Sequence, residues 1–331
     1  MTEFAHAAEG HRRELLLHCY RMLGSLPDAE DAVQETMLRA WRYRDSLKEG
    51  APLRPWLYRV ATNACLDAIA RDDRRAVLAA RVAADGGATG KLDDVVWLSP
   101  IPDSQLEPPA PTSTPEAITL TRETIAIAFL TVIQLLTPQQ RAALILRDVL
   151  DWSANEAADL LDITVPALNS SLQRARARLR ERLPSSKPAW PANADPSAAE
   201  RDLLKKYVAA SEAADFRALA SIIRTDATFR MPPEPGVTEG RDAMFSLWVA
   251  GGFGSESFGR LRCVVTRANL QPAVAAYVRR PGDSAWRALA LDVLRIEDGA
   301  IAEIVTFPPD CFLPFGLPLI MDEASEVDTC H

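Results

Sequence analysis

The sequence predicts a multidomain chain: two all-α modules, the second ending in a helix-turn-helix, followed by an α+β domain with helices on one side of a curved antiparallel sheet. Three observations carry this. Apolar residues recur at helical spacing over 14–71 and again up to residue 182. Two proline-rich stretches, 83–115 and 184–196, interrupt that pattern. Beyond them, alternating runs separated by Pro281-Gly282-Asp283 and Glu297-Asp298-Gly299 read as strands. The expected boundaries are 1–80 and 116–183 for the helical modules, 81–115 and 184–197 for linkers, and 198–331 for the last domain.

In the first module a Leu-rich helix over 14–23 is closed by Gly24. Asp28 is the expected cap of the next helix, whose apolar side carries Val33, Met37, Leu38 and Trp41 while Glu30, Gln34 and Glu35 stay wet. The third helix begins near Pro52 or Pro55, where a missing amide proton is harmless, and runs through Trp56, Leu57, Val60, Ala64 and Ile69 to Arg71. Short connections between long helices predict a compact bundle. The linker after it contains one apolar island, Val95, Val96, Trp97, Leu98 and Ile101. Several apolar side chains in a proline-rich tether call for a covering surface, so Trp97 and Leu98 are expected to pack between the last domain and the helical modules.

The second module carries the most detailed pattern. Thr137 precedes Pro138 at the start of one helix, and Ser153 with Glu156 forms a capping box, with Trp152 at the position of a hydrophobic staple. Asp162-Ile163 makes a turn and Thr164 caps the final helix. Val165, Leu168, Leu172, Ala175 and Leu179 form its inward stripe. On the other face stand Asn169, Ser170, Gln173 and Arg174, side-chain types that bond base edges, with Arg176 and Arg178 further along, suited to phosphate. The alternative is a solvated face of an ordinary bundle.

The formal net charge of -8 argues against a nucleic-acid binder only on average, because Arg174, Arg176, Arg178, Arg180 and Arg182 cluster on one helix. The cysteines Cys19, Cys65, Cys263, Cys311 and Cys330 are scattered without a CxxC pair, which suggests neither a disulfide framework nor a metal site. The four histidines lie near the termini, at His6, His11, His18 and His331. Imidazole chemistry is therefore not expected in the later chain, and neither an enzyme nor a cofactor is expected. No secretory leader or membrane span is read, so the expected location is cytoplasmic.

The segments Asp28-Ala29-Glu30-Asp31-Ala32-Val33-Gln34-Glu35-Thr36, Trp56-Leu57-Tyr58-Arg59-Val60-Ala61-Thr62-Asn63-Ala64-Cys65-Leu66-Asp67 and Asn169-Ser170-Ser171-Leu172-Gln173-Arg174-Ala175-Arg176-Ala177-Arg178-Leu179 resemble regions 2 and 4 of the extracytoplasmic-function sigma factors of the sigma-70 family. The resemblance covers about residues 10–182. It implies that Asp28, Glu30, Asp31, Gln34 and Glu35 dock on the clamp helices of the largest subunit of core RNA polymerase. It implies that Trp56, Arg59, Asn63 and Asp67 face the -10 promoter element, and that Asn169, Ser170, Gln173, Arg174, Arg176 and Arg178 read the -35 element. Trp41, Tyr43, Trp56 and Tyr58 are the aromatic candidates for stacking on unpaired bases, although Trp41 and Trp56 serve equally as bundle core. Without the resemblance, the acidic face of the second helix reads as a wet surface favoured by the helix dipole.

Residues 195–314, helices first and a strand meander last, resemble the SnoaL-like branch of the nuclear transport factor 2 superfamily. Val95-Val96-Trp97-Leu98-Ser99-Pro100-Ile101-Pro102 resembles a Trp-Leu-Pro linker motif of long sigma factors, with Ser99 where a proline often stands. The resemblance implies a regulatory domain in contact with the sigma modules or their linker. Phe229, Met231, Trp248, Tyr277 and Trp286 are candidates to line a small-ligand pocket, and Asp226, Asp292 and Glu303 are its available carboxylates. Two other readings remain open: a ligand-responsive helix-turn-helix regulator, and a cyclase-like enzyme fused to a DNA-binding part.

Overall fold

The computed structural model describes residues 3–47, 51–84, 95–106, 124–182 and 197–322. The prolines expected to break the linkers, Pro108, Pro109, Pro111 and Pro115 in the first and Pro184, Pro188, Pro191 and Pro196 in the second, lie outside these residues, as do Gly86 and Gly87. The chain divides into two compact units, Met1–Ser99 with Gln105–Lys187, and Pro100–Ser104 with Pro188–His331.

The first unit opens with α1 (Glu3–Glu9), α2 (Arg12–Leu23), α3 (Leu26–Arg42), α4 (Leu53–Arg71) and α5 (Asp73–Ala84). Gly24 ends α2 in the left-handed region at φ 72°, donating its amide to the Tyr20 carbonyl. The cap of α3 is Ser25, whose hydroxyl accepts from the Asp28 amide, and not Asp28 itself. Pro27 sits in the first turn, so the capping side chain has to precede it. Leu38 and Trp41, expected on the apolar side of this helix, are exposed at 57% and 44%. The core side is carried by Leu26, Ala29, Ala32, Val33 and Ala40, three of them alanines, which take little room between α3 and its neighbours.

The helix-turn-helix follows as α6 (Ile127–Gln134), α7 (Pro138–Leu144), a π-helical turn (Ile145–Val149), α8 (Ala154–Leu161) and α9 (Val165–Arg182). Thr137 and Ser153 each form a full capping box, with Gln140 and Glu156. Asp162 turns the chain at φ 54°, and Thr164 Oγ1 accepts from the Ala167 amide at the head of α9. These helices share a core with the first module. Tyr58 packs on Trp152 with ring centroids 5.3 Å apart. Buried Arg141 donates to the carbonyls of Ile133, Gln134 and Leu136 in its own module and to that of Met22 in α2. Stripping such a guanidinium of its acceptors would leave a charge in low dielectric, so it fixes the two modules together.

The second unit contains α10 (Ala198–Glu212), α11 (Phe216–Ile222), β1 (Ile223–Arg230), β2 (Thr238–Glu239), α12 (Arg241–Ala250), β3 (Arg260–Ala268), β4 (Gln271–Arg279), β5 (Trp286–Glu297), β6 (Ala300–Phe307) and β7 (Ile320–Met321). The sheet order is β2-β1-β6-β5-β4-β3, with β7 on β5, and every pairing is antiparallel except β1 with β6. The sequence pattern misses β1. It follows α11 with no turn residue, and a register shift between Ile223 and Thr228 breaks the two-residue alternation. Leu203, Tyr207, Leu219, Phe229, Met244, Val274, Leu294 and Ile304 form the core between helices and sheet.

The linker residues of this unit are seated on the tip of the β3–β4 hairpin. Ile101 and Asn269 bond reciprocally, Ile101 N to Asn269 Oδ1 at 3.1 Å and Asn269 N to Ile101 O at 2.9 Å. The Asp103 carboxylate accepts from Leu270 N at 2.7 Å and from Arg267 Nε at 2.8 Å. Asn269 and Leu270 both have positive φ, 57° and 56°, as a two-residue hairpin turn requires. A leucine there is held at a cost of about 1–2 kcal/mol, and the Asp103 carboxylate on its amide offsets part of it.

Candidate nucleic-acid interface

On α9, Leu168, Leu172 and Ala175 are buried, and Asn169, Ser170, Gln173 and Arg174 stand together on the exposed face. Ser170 Oγ accepts from Arg174 Nη1 at 2.8 Å, which pre-orients the guanidinium across one helical turn. The two arginines beyond are engaged differently. Arg176 makes a bidentate pair with Asp148 at 2.8 and 2.6 Å, whose hydrogen bonds hold its guanidinium protonated. Arg178 donates to the Leu135 carbonyl at 3.2 Å. Both therefore brace α9 against the preceding helices, while the Asn169–Arg174 group is left facing water.

Trp56, Arg59, Asn63 and Asp67 follow three- and four-residue steps and share one face of α4. Arg59, Asn63 and Asp67 are exposed, and Trp56 is half-buried against Phe4. Arg59 Nη2 donates to the Asp159 carbonyl in α8 at 2.6 Å, and Asp67 pairs with Arg39 at 2.7 Å. Of the aromatic candidates, Tyr58 is buried between His18 and Trp152, its hydroxyl on Glu14, and burial pushes its pKa upward. Trp41 and Tyr43 are exposed at 44% and 55%, with Arg44 stacked 4.5 Å over the Trp41 ring.

Asp28, Asp31, Gln34 and Glu35 line one wall of a groove of about 550 Å³; Glu30 lies outside it. The facing wall is Ala64, Ala68, Arg71, Asp72 and Arg75. Arg71, Asp72 and Arg75 were not singled out from sequence, although the charged run Arg71-Asp72-Asp73-Arg74-Arg75 at a helix junction was the available signal. Arg75 is 4% exposed and its guanidinium meets Asp28.

Trp97 and Leu98 are buried, and their partners are helical. Trp97 Nε1 donates to Gln134 Oε1 at 3.4 Å, Arg75 lies 5.3 Å from its ring centroid, and Leu98 sits beside Gly24. Both are buried, as expected, and within the first unit they stand among α2, α5 and α6. Pro100–Ser104 is the part of the linker belonging to the second unit.

The five candidate pocket residues do not converge. Phe229 and Trp248 pack edge to face at 5.8 Å in the core against the helices. Tyr277, an odd number of residues from core Val274 on β4, faces the other side of the sheet against Phe312. Trp286 is buried with Arg279 over its ring, and Met231 is 43% exposed. Among the carboxylates, Asp226 is exposed in a pair with Arg224, and Glu303 is buried between Arg230 and Arg295. Asp292 is half-buried, its oxygens accepting from Tyr207 at 2.9 Å and Thr306 at 2.5 Å, and desolvation raises its pKa. Among the described residues no His, Cys, Asp and Glu cluster suits a metal ion, and no helix is long and apolar enough to cross a membrane.

Comparison with known families agrees with this architecture. Residues 7–75 match sigma-70 region 2, residues 126–179 match sigma-70 region 4, and residues 204–304 match the SnoaL-like domain. The fold and its paired helical modules thus define a sigma-70-type factor extended by a SnoaL-like domain. The chain is 39% identical over 320 residues to SigG of Mycobacterium tuberculosis, covering 96% of this chain and 84% of that protein. It is 26% identical to SigJ of the same species, over 94% and 93% of the two chains. The chain belongs to the extracytoplasmic-function (ECF) RNA polymerase sigma factors. The crystal structure of SigJ matches with a TM-score of 0.59 at 22% identity, covering 94% of this chain and 98% of that one, a likeness of fold.

Proposed function

We propose that this sigma factor docks on core RNA polymerase through the acidic wall of α3 and reads promoter DNA in two parts. Asp28, Asp31, Gln34 and Glu35 form the docking wall, with Glu30 beside it. The α4 face carrying Trp56, Arg59, Asn63 and Asp67 meets the -10 element, with Trp41 and Tyr43 as exposed stacking surfaces for unpaired bases. Asn169, Ser170, Gln173 and Arg174 read base edges in the -35 major groove. The observation that carries this reading is the last group, presented together and unbraced on α9 while the neighbouring arginines are tied down. Polymerase supplies the chemistry of transcription, so the chain acts as a specificity subunit rather than as an enzyme.

The SnoaL-like domain acts as a regulatory part through its hold on the linker. Support comes from the hairpin tip, where Asn269, Leu270 and Arg267 engage Ile101 and Asp103. A domain that grips the connection between two DNA-reading modules can bias their placement without touching DNA. In-vitro transcription with core polymerase on a promoter library tests the central claim. Initiation from a shared pair of elements is expected; binding to duplex DNA without association with core enzyme would overturn it.

A further inference from the structure

We infer that Arg75 is a positioning residue that couples the polymerase-docking groove to the seating of the linker, through the relay Asp28, Arg75, Trp97 and Gln134. The inference rests on the docking role proposed for Asp28. Arg75 is nearly buried and has two anionic neighbours. Its Nη2 donates to Asp28 Oδ2, while Asp72 Oδ2 lies 3.7 Å from Nη1, beyond a hydrogen bond. Its Nε is buried without a hydrogen-bond partner. The other side of the guanidinium is covered by Trp97, 5.3 Å from the ring centroid. Asp28 is therefore the principal compensation for a charge that the fold keeps out of water.

Asp28 itself is reachable, with its side chain 40% exposed at the rim of the groove. A basic group of a docking partner that takes this carboxylate leaves Arg75 under-compensated. The guanidinium then has to follow Asp28 toward the groove or draw in water, and either movement removes the surface on which Trp97 rests. The hold on Trp97 from its other side is weak. Its indole donates to Gln134 Oε1 at 3.4 Å, an oxygen that already accepts from Arg141 Nη1 at 2.6 Å. Gln134 belongs to α6 and Arg75 to α5, so Trp97 is a wedge between the two sigma modules. Just beyond it the linker is tied to the first module: Ser99 N donates to the Gly24 carbonyl at 3.1 Å, Ser99 Oγ accepts from Leu26 N at 2.7 Å, and Tyr20 donates to the Ser99 carbonyl at 2.8 Å. Engagement of Asp28 is thereby transmitted to the segment that helps hold the two modules together.

Hydrogen-exchange mass spectrometry on the full chain tests the relay. Asp28→Asn keeps the shape and removes the charge, and the amides of 95–99 are expected to exchange about tenfold faster while those of α2 keep their rates. Saturating core polymerase on the wild-type chain is expected to produce the same change. Arg75→Lys, which keeps a charge but loses the fork, is expected to fall between. Unchanged exchange at 95–99 in Asp28→Asn overturns the relay, and so does equal acceleration throughout α2. Protection of 95–99 by core polymerase overturns it as well. If core polymerase does not bind, the docking role fails, and the variant arm still decides whether Asp28 controls the linker.

Discussion

Arg59 on α4 donates its guanidinium to the main-chain carbonyl of Asp159 on α8, 2.6 Å away. A residue proposed above to meet the -10 element is thus engaged by the helix-turn-helix module. Both ends are exposed, so water can replace the bond at little net cost, which makes it a releasable contact. Arg59→Ala should leave the thermal midpoint nearly unchanged and reduce initiation roughly tenfold, the loss of one charge-assisted contact of about 1.5 kcal/mol. Run-off transcription beside thermal unfolding checks this. A large fall in stability with normal initiation would show the contact to be structural.

Arg174→Ala should weaken binding to a matched -35 site by about 1–3 kcal/mol while barely affecting a scrambled one. Arg176→Ala should affect the matched and scrambled sites alike and only modestly, because its guanidinium is committed to Asp148 and any DNA contact it makes is to phosphate. Titration of both duplexes with each variant separates the two. Equal losses on matched and scrambled sites for Arg174→Ala would rule out base reading by that residue.

His18 gives the first module a specific acid sensitivity. Burial, with Arg21 adding to it, lowers its pKa from 6.5 to about 3, while Nε2 meets Thr62 Oγ1 at 2.9 Å and Nδ1 is buried without a partner. The unfolded chain takes up a proton below pH 6.5 that the folded chain refuses until about pH 3. Stability should therefore fall as pH drops through that window, with a limiting slope of about 1.4 kcal/mol per pH unit. His18→Gln should flatten the dependence between pH 6.5 and 4.5, above the range of most carboxylates. Denaturant unfolding at fixed pH values measures the difference, and parallel curves for the two proteins would sink the assignment.

Tyr207→Phe removes one of the two donors on half-buried Asp292. Hydrogen bonds to a charged acceptor contribute about 1.5–3 kcal/mol, so the SnoaL-like domain should lose stability of that order. The sigma modules share none of these contacts and should keep their unfolding midpoint. Domain-resolved hydrogen exchange distinguishes the two, and an unchanged second unit would mean that water replaces the tyrosine hydroxyl.

Much of the helix-turn-helix was legible because its signals are local. Thr137, Ser153 with Glu156, Asp162 and Thr164 each act within four residues of chain, and the structure keeps every one of them. Capping is less legible where two candidates compete, as at Ser25 and Asp28, because proline shifts the helix start. Burial of aromatics was the weakest inference. Trp41 and Tyr58 have the same amphipathic chemistry, and only neighbours from other helices make one exposed and the other core.

The sequence by itself determined the three-part order, the faces of α4 and α9, the hairpin meander and the acidic character of α3, because periodicity, caps and turns depend on neighbours along the chain. Tertiary structure alone decided which charges are spent. Arg176 is committed to Asp148, Arg75 to Asp28 and Arg141 to Met22 across separations that no local pattern encodes. It also decided that Trp97 rests on Arg75 and Gln134, and that Phe229 and Tyr277 lie on opposite sides of the sheet. The physical reason is common to all of these. A buried charge or ring takes whatever partner packing brings within about 4–6 Å, and that partner is set by how helices and strands close on one another.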